Sequence, residues 1–440
     1  MHLRNTLFCG LIIFFLSFAS PPNLIISDSS AELETVLYYS LIKDSFSLTN
    51  AEIDSLKENK FVVLNRMGTE DLLDAYKYYW VEDLPIFITT DTMLHTWHLI
   101  FDHSLEDIEQ DFYYPLFSEL LAAMLSKALA GHEENIISDS SLIYIAVAAT
   151  LINSTHNATL PSNIKNNVSF IVDNILQAIS LPEAITKFNT VILKRYIDDF
   201  SQYQPRGHYT HSENLKNYFR LFKWFSRIPF FFDDYIGISF LDTNHEEMVD
   251  SAIEVTWVLK ETEINWFGHN ISGFMVLDAF DKFLKAIVGK ANSISPQIIE
   301  NICIELFGEN WDINDINSTE IKELVLANNS IPIPEAPFVI DAYSGSLISP
   351  KTFVFFGEVL TLDSYALNHL VYPYVASRFL PVGLDFANTC LNSSRSKELL
   401  TEQYQQDNDY RDASFSLIDE IANKSGDCKE RCEWFSCGNE

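Results

Sequence analysis

Apolar residues return at helical spacing in one segment after another, and few strand signals lie between them. After Thr243, positions Met248, Ala252, Val255 and Val258 share one helix face, while Glu246, Asp250 and Glu254 point toward water. Thr243 with Glu246 also forms a capping-box pattern. The same pattern joins Thr49 to Glu52, opening a helix over Asn50 to Asn59, and Thr210 to Glu213, opening one that runs to Ser226. Pro296 after Ser295 suits the first turn of a helix that ends before Gly308. Leu142 to Ile152 is apolar on every side for about three turns, too short to span a bilayer, and reads as a buried core helix.

Polar and Pro-rich stretches punctuate this pattern. Asn153 to Asn167 reads as an exposed loop, and Phe230 to Thr243 as an irregular aromatic and Asp-rich segment. Asn329 to Pro350, with Pro332, Pro334 and Pro337, is the expected boundary between a main helical part, 21–330, and a C-terminal helical part, 331–425, packed on it. No internal repeat or heptad run is present, which disfavours a solenoid. The expected fold is therefore mainly α: a large, irregular multi-helix domain with short extended segments and long loops.

Composition fits that picture and narrows the partners. With 440 residues, 47% of them hydrophobic, the chain can bury a sizeable core, and only 14 Gly and 15 Pro interrupt it. Sixty-one acidic against 29 basic side chains give a formal charge of −32. Such a charge repels phosphate backbones, which excludes nucleic acid as the main partner and favours cations. A small molecule, a glycan or a protein remains open as partner.

The N-terminus adds a destination. His2 and Arg4, the apolar run Leu7 to Phe18, and small residues Ser17, Ala19 and Ser20 make residues 1–20 a secretory signal. Its apolar run falls short of the roughly 20 residues of a membrane span, and an uncleaved signal-anchor is the alternative. No integral membrane part is expected beyond it, so the mature chain is expected outside the cytoplasm, secreted or at the cell surface. Sequons at Asn153, Asn157, Asn167, Asn270, Asn317, Asn328, Asn392 and Asn423 agree with export, as N-glycosylation acceptors. Of six cysteines, Cys9 leaves with the signal, Cys303 and Cys390 stand alone, and Cys428, Cys432 and Cys437 cluster in a tail, 426–440. Among the five that remain, one or two disulfides with a spare thiol are expected, and no metal site in the tail, because C-x3-C-x4-C is not a standard metal spacing.

The stretch richest in chemistry runs from Pro85 to Glu106. On a helix, Leu94, Trp97, Phe101, Leu105 and Ile108 fill one arc, and Asp91, His95, His98, Asp102, Glu106 and Glu109 fill the next. Imidazole beside carboxylate at one-turn spacing suits a divalent metal on Asp91, His95, His98 and Asp102, or a tuned acid–base set. The competing reading is a structural hydrogen-bond network. A second cluster, Pro205-Arg-Gly-His-Tyr-Thr210, places Arg206, His208 and Tyr209 before a capped helix. Arg206 there suits a carboxylate clamp, or a partner for Asp91 or Asp102. In a third, Arg378-Phe-Leu-Pro-Val-Gly-Leu-Asp385, Gly383 and Asp385 suggest a fixed turn. Asp312 to Glu323 lacks the central Gly of a calcium loop and reads as a polar loop and helix start.

Thr89-Thr-Asp-Thr-Met-Leu-His-Thr-Trp-His98, Pro205-Arg-Gly-His-Tyr-Thr210 and Arg378-Phe-Leu-Pro-Val-Gly-Leu-Asp385, in this order, resemble the signature segments of the domain-of-unknown-function 3160 family, from about Phe61 to about Leu400. The resemblance implies an exported bacterial or archaeal protein and carries over no activity. Two departures stand out. Gly357-Glu-Val-Leu-Thr-Leu-Asp363-Ser364 lacks the Arg that the family tends to place before its Asp-Ser pair. The Cys-containing end resembles nothing in the family, whose members usually run longer, and reads as a truncated or frameshifted terminus.

Two functions follow from the same residues. In one, His95, His98, Asp102 and His208 act as catalytic groups of a hydrolase, with Arg206, Tyr209 and Asp385 binding the ligand and a divalent metal as the cofactor class. In the other, these residues form a buried hydrogen-bond network in a non-catalytic extracytoplasmic binding or structural protein.

Overall fold

Helices dominate a computed structural model of the chain, which describes residues 38–59, 72–84, 90–178, 200–232, 245–287, 293–328, 351–357, 378–391 and 393–403, together with shorter pieces near them. The mainly α expectation holds, and the described strands are only two to four residues long. The chain divides into two units, 1–100 and 101–440. The boundary expected near 330 falls on residues 329–338, outside those described.

In the first unit, α1 spans Tyr39–Ser45, α2 Asn50–Asn59 and α3 Leu72–Val81. The capping box that opens α2 forms as expected: the Thr49 amide donates to Glu52 Oε2 at 2.8 Å, and the Glu52 amide donates to Thr49 Oγ1 at 3.3 Å. Helix α4, Thr90–Ile108, begins in this unit and runs into the second. Its apolar arc is bare rather than covered, with Leu94 61% and Trp97 46% exposed, and only Leu105 and Ile108 are half-buried. The reason is positional: Ile108 is the first residue of the arc to reach the main core.

Past Ile108 the helix widens into a π turn, Glu109–Tyr113, and continues as α5, Tyr114–Glu133. Helix α6, Asp139–Ile152, is the all-apolar segment of the sequence, and every residue from Ser141 to Ile152 is buried, as expected. Each large aliphatic side chain so buried contributes on the order of 1.5 to 3 kcal/mol. Ser138 caps α6 through Ser141 N, and Glu254 accepts from both the Ser138 amide (3.0 Å) and its hydroxyl (2.6 Å). Glu254 therefore serves the N-terminus of α6 instead of facing water, where its negative charge complements the helix dipole.

The loop expected over 153–167 is shorter than its polarity suggests. A 3-10 turn, Ser154–Thr159, gives way at Pro161 to α7, Ser162–Gln177, because Ile164, Val168, Ile171 and Ile175 recur at helical spacing and bury one face. Helix α8, Glu213–Arg227, is capped by Ser212 rather than Thr210, whose hydroxyl donates instead to Gly207 O in a 3-10 turn over Gly207–Thr210. Phe230–Phe231 form β1, so the segment read as irregular begins as a strand, and 233–244 lie outside the described residues.

Helix α9, His245–Lys260, buries Met248, Ala252, Val255 and Val258 as its spacing predicts. Strands β2, Glu263–Trp266, and β3, His269–Ser272, form a hairpin whose turn residues Phe267 and Gly268 both have positive φ, 50° and 84°. Helices α10, Gly273–Ile287, α11, Pro296–Phe307, and α12, Ser318–Ala327, follow, and α11 stops at Gly308 with φ +90°. Asp312 to Asp315 is a polar turn in which Asp312 accepts from the Asn314 amide, as read from the sequence.

Two short pairings, β4 (Val339–Ile340) with β5 (Leu347–Ile348) and β6 (Thr352–Phe353) with β1, are antiparallel. The second joins Phe230 to Phe353 across more than a hundred residues. The core around it is strongly aromatic, with Phe225 stacked on Phe355 at 4.3 Å and Phe117, Phe280 and Phe356 in mutual contact. Lys351, buried beside it, donates to Val325 O, Leu326 O and Asn328 O and so caps the last turn of α12. A second, smaller core joins Leu370, Val375, Leu400, Tyr410 and Leu417 near α13 (Gly383–Thr389) and α14 (Ser394–Gln403).

Candidate functional site

Asp102, Glu106 and Glu109 lie four and three residues apart, which puts their carboxylates in one row along α4 and the π turn. The loop from Gly207 to Ser212 lies along that row. Gly207 has φ +59°, a backbone state that glycine adopts without strain, and it turns the chain so that His208 and Tyr209 face the helix.

His208 is the centre of the arrangement and is only 8% exposed. Its Nδ1 lies 2.9 Å from Asp102 Oδ1 and its Nε2 2.8 Å from Glu109 Oε2. An ionised carboxylate only accepts, so with both carboxylates ionised both ring nitrogens donate and the ring is held as an imidazolium. The bond to Glu109 raises the His208 pKa most, burial opposes the shift, and Asp102 adds to it. The second oxygen of Glu109 accepts from the Tyr209 hydroxyl at 2.9 Å, which leaves both oxygens of this 6% exposed carboxylate bonded. Burial first, and then the Glu109 charge, push the Tyr209 hydroxyl pKa far up, and buried Tyr218 behind it is raised for the same two reasons. Farther out, His211 Nδ1 lies 3.1 Å from both oxygens of Glu106, and the Ser212 hydroxyl donates to Gln110 Oε1 at 2.5 Å.

The chemistry open to this cluster is narrow. An imidazolium with both N–H groups bonded has no lone pair for a metal or for a proton in flight. Two carboxylates face the one ring, Glu109 buried and Asp102 half-buried at the rim.

The other expected site residues make no hydrogen bond or ion pair with this cluster among the described residues. His95 and His98 are exposed on the part of α4 that belongs to the first unit, and the Asp91 side chain lies outside the described residues. Arg206 is exposed and has no ion pair or hydrogen bond among the described residues; Asp102 takes His208 in its place. Asp385 is fully buried and bonded to Arg378, to the Val382 amide at 2.6 Å and to the Tyr410 hydroxyl at 2.7 Å. Its hydrogen bonds all stay in the C-terminal segment, and none reaches His208. Among the described residues, no group of three or more His, Cys, Asp or Glu side chains is arranged to hold a metal ion.

Tyr410 is a partner that a reading of the sequence did not single out, and Glu109 was placed on the polar arc but not among the named site residues. Glu109 carried a signal, since it completes the Asp102 and Glu106 row and a Tyr follows His208. Cys303, fully buried, is a free thiol whose pKa burial pushes up to about 12, so it is chemically quiet. The tail cysteines lie outside the described residues. Among the described residues, no helix is long and apolar enough to cross a membrane.

Against this geometry stand the comparisons with known proteins. The family described as "Protein of unknown function (DUF3160)" matches residues 49–431. No curated protein and no solved structure matches the chain.

Proposed function

The chain belongs to this family, DUF3160, and from that premise we propose an exported, non-catalytic binding or structural protein whose signature loop, Pro205 to Thr210, clasps helix α4. The observation that supports this reading most is His208, which spends both ring nitrogens on carboxylates while 8% exposed. A hydrolase base needs one of those nitrogens free. The signature residues Asp385 and Arg378 support the same reading, because they too are buried and bonded to each other. Export rests on the leader in residues 1–20.

His208→Gln separates the two functions. In a structural clasp it lowers the melting temperature and loosens the 207–212 loop in hydrogen exchange, whereas in a hydrolase it removes turnover and leaves stability intact. The second of these outcomes sinks the proposal. N-terminal sequencing of protein recovered from outside the cell tests export, with a start after residue 20 expected. One observation favours a second reading: His95 and His98 are both exposed, one turn apart on one helix. Elemental mass spectrometry of the purified chain and of a His95→Ala, His98→Ala variant decides it, since a bound divalent metal is lost from the variant.

A further inference from the structure

The eight sequons of the sequence are not equivalent in the fold. Asn157 is partly buried, and its amide nitrogen already donates to Ser169 Oγ at 2.9 Å. Asn167 lies inside α7 with its amide nitrogen donating to Asn163 O, and the sequon at Asn317 runs into α12. Helical hydrogen bonds hold Asn167 away from the extended form an enzyme cleft can read, and at Asn317, itself extended, the Ser318 and Thr319 that complete the triplet are helical. Asn153 is half-buried, and the Thr155 hydroxyl of its sequon is tied back to Asn153 Oδ1 at 2.8 Å. Asn328 continues into residues outside those described, and Asn392 and Asn423 themselves lie outside them.

Asn270 differs from all of these. The triplet Asn270-Ile-Ser272 is the greater part of β3, an extended strand in a sheet of two whose outer edge has no strand paired to it among the described residues. The tip beside it projects into solvent, with Phe267 79% exposed. The side chain is also oriented. Asn265 Oδ1 accepts from the Gly268 amide, which fixes the nitrogen of Asn265 as the atom that meets Asn270, at 3.1 Å. Asn270 must therefore present its oxygen to Asn265, and its own amide nitrogen is turned to solvent without a hydrogen-bond partner among the described residues.

We propose that Asn270 is the principal N-glycan acceptor of this chain, an inference that rests on the export reading above. The co-reactant is an oligosaccharide carried on a lipid diphosphate. Asn270 Nδ2 forms a bond to its anomeric carbon, the bond from that carbon to the phosphate oxygen breaks, the lipid diphosphate leaves with the electron pair, and one amide proton passes to base. The attached sugar displaces no described hydrogen bond of the hairpin.

The test is site-by-site occupancy in the full chain made by secretory eukaryotic cells, read by mass spectrometry after enzymatic release of glycans in heavy-oxygen water. Two forms are compared, one with residues 1–20 as they are and one with the leader of a known secreted protein in their place. The expected result is Asn270 occupied in most molecules and Asn157 in few, with Asn270→Gln removing one glycan and leaving secretion unchanged. An exported chain that carries glycan elsewhere but not on Asn270 overturns the proposal, and so does a chain bare at every sequon behind the borrowed leader. Occupancy of Asn270 behind the borrowed leader alone upholds the acceptor and overturns export by the chain's own N-terminus.

Discussion

Two buried charge clusters carry two of the signature segments, and they are built on opposite principles. The clasp joins His208 to Asp102 and Glu109, about a hundred residues away in sequence. The C-terminal knot joins Arg378 to Asp385 seven residues on, with Tyr410 closing it: the guanidinium lies 4.6 Å from the Tyr410 ring centre, and the hydroxyl donates to Asp385. In the knot one cation meets one anion, and the spare guanidinium group donates to Leu370 O at 2.8 Å. In the clasp one cation meets two anions. Arg stays charged at any pH that leaves a protein folded, whereas His loses its charge within reach of neutrality. The knot is therefore unconditional and local, and the clasp is conditional and long-range.

Removing the cation from each cluster breaks this comparison most forcefully. Arg378→Met leaves the fully buried Asp385 without its cation, held only by the Val382 amide and the Tyr410 hydroxyl, at a cost of about 3 to 5 kcal/mol. Urea denaturation, with hydrogen exchange over 366–417, reads it. His208→Ala strips Glu109 of one of its two partners and costs less, on the order of 1 to 3 kcal/mol, because half-buried Asp102 reaches water while Asp385 is wholly enclosed. Equal losses at the two sites would show that removal of the cation, and not the enclosure of the anion it leaves, sets the cost.

pH sharpens the same contrast. The His208 pKa is raised in the folded state, so the stability it contributes is complete below about 6.5 and is lost as pH climbs through the folded value. Urea midpoints should fall across that window in the wild type and in Arg378→Met, and stay flatter in His208→Gln. A wild-type midpoint that does not fall would mean that the ring is not held as an imidazolium.

How much of this was legible in the sequence follows from which interactions are local. Helix α2 and its capping box, the all-apolar α6, the buried face of α9 and the Pro296 start of α11 each depend on residues within a turn or two, and all appear as expected. The pairing of His208 with Asp102 was not legible, because the residues between them set no spacing that links the two. The same limit hid the capping of α6 by Glu254, which looked solvent-facing from its own helix alone. The shift of the α8 cap from Thr210 to Ser212 has another cause: Gly207 offers the Thr210 hydroxyl a carbonyl, and Gln110 and Leu215 N engage Ser212.

The smallest expected effect concerns the residues that looked most chemical. His95 and His98 are exposed, and neither has a hydrogen bond or ion pair among the described residues, so His95→Ala and His98→Ala should each shift stability by no more than about 0.5 kcal/mol. Against the loss at His208 this is a difference between histidines of one sequence pattern, and it separates the bare end of α4 from the clasped end. Thermal unfolding of the three single variants side by side measures it. A loss at His98 as large as that at His208 would mean that a partner covers the first turns of α4, and the contrast between the exposed and buried ends of this helix would then fail.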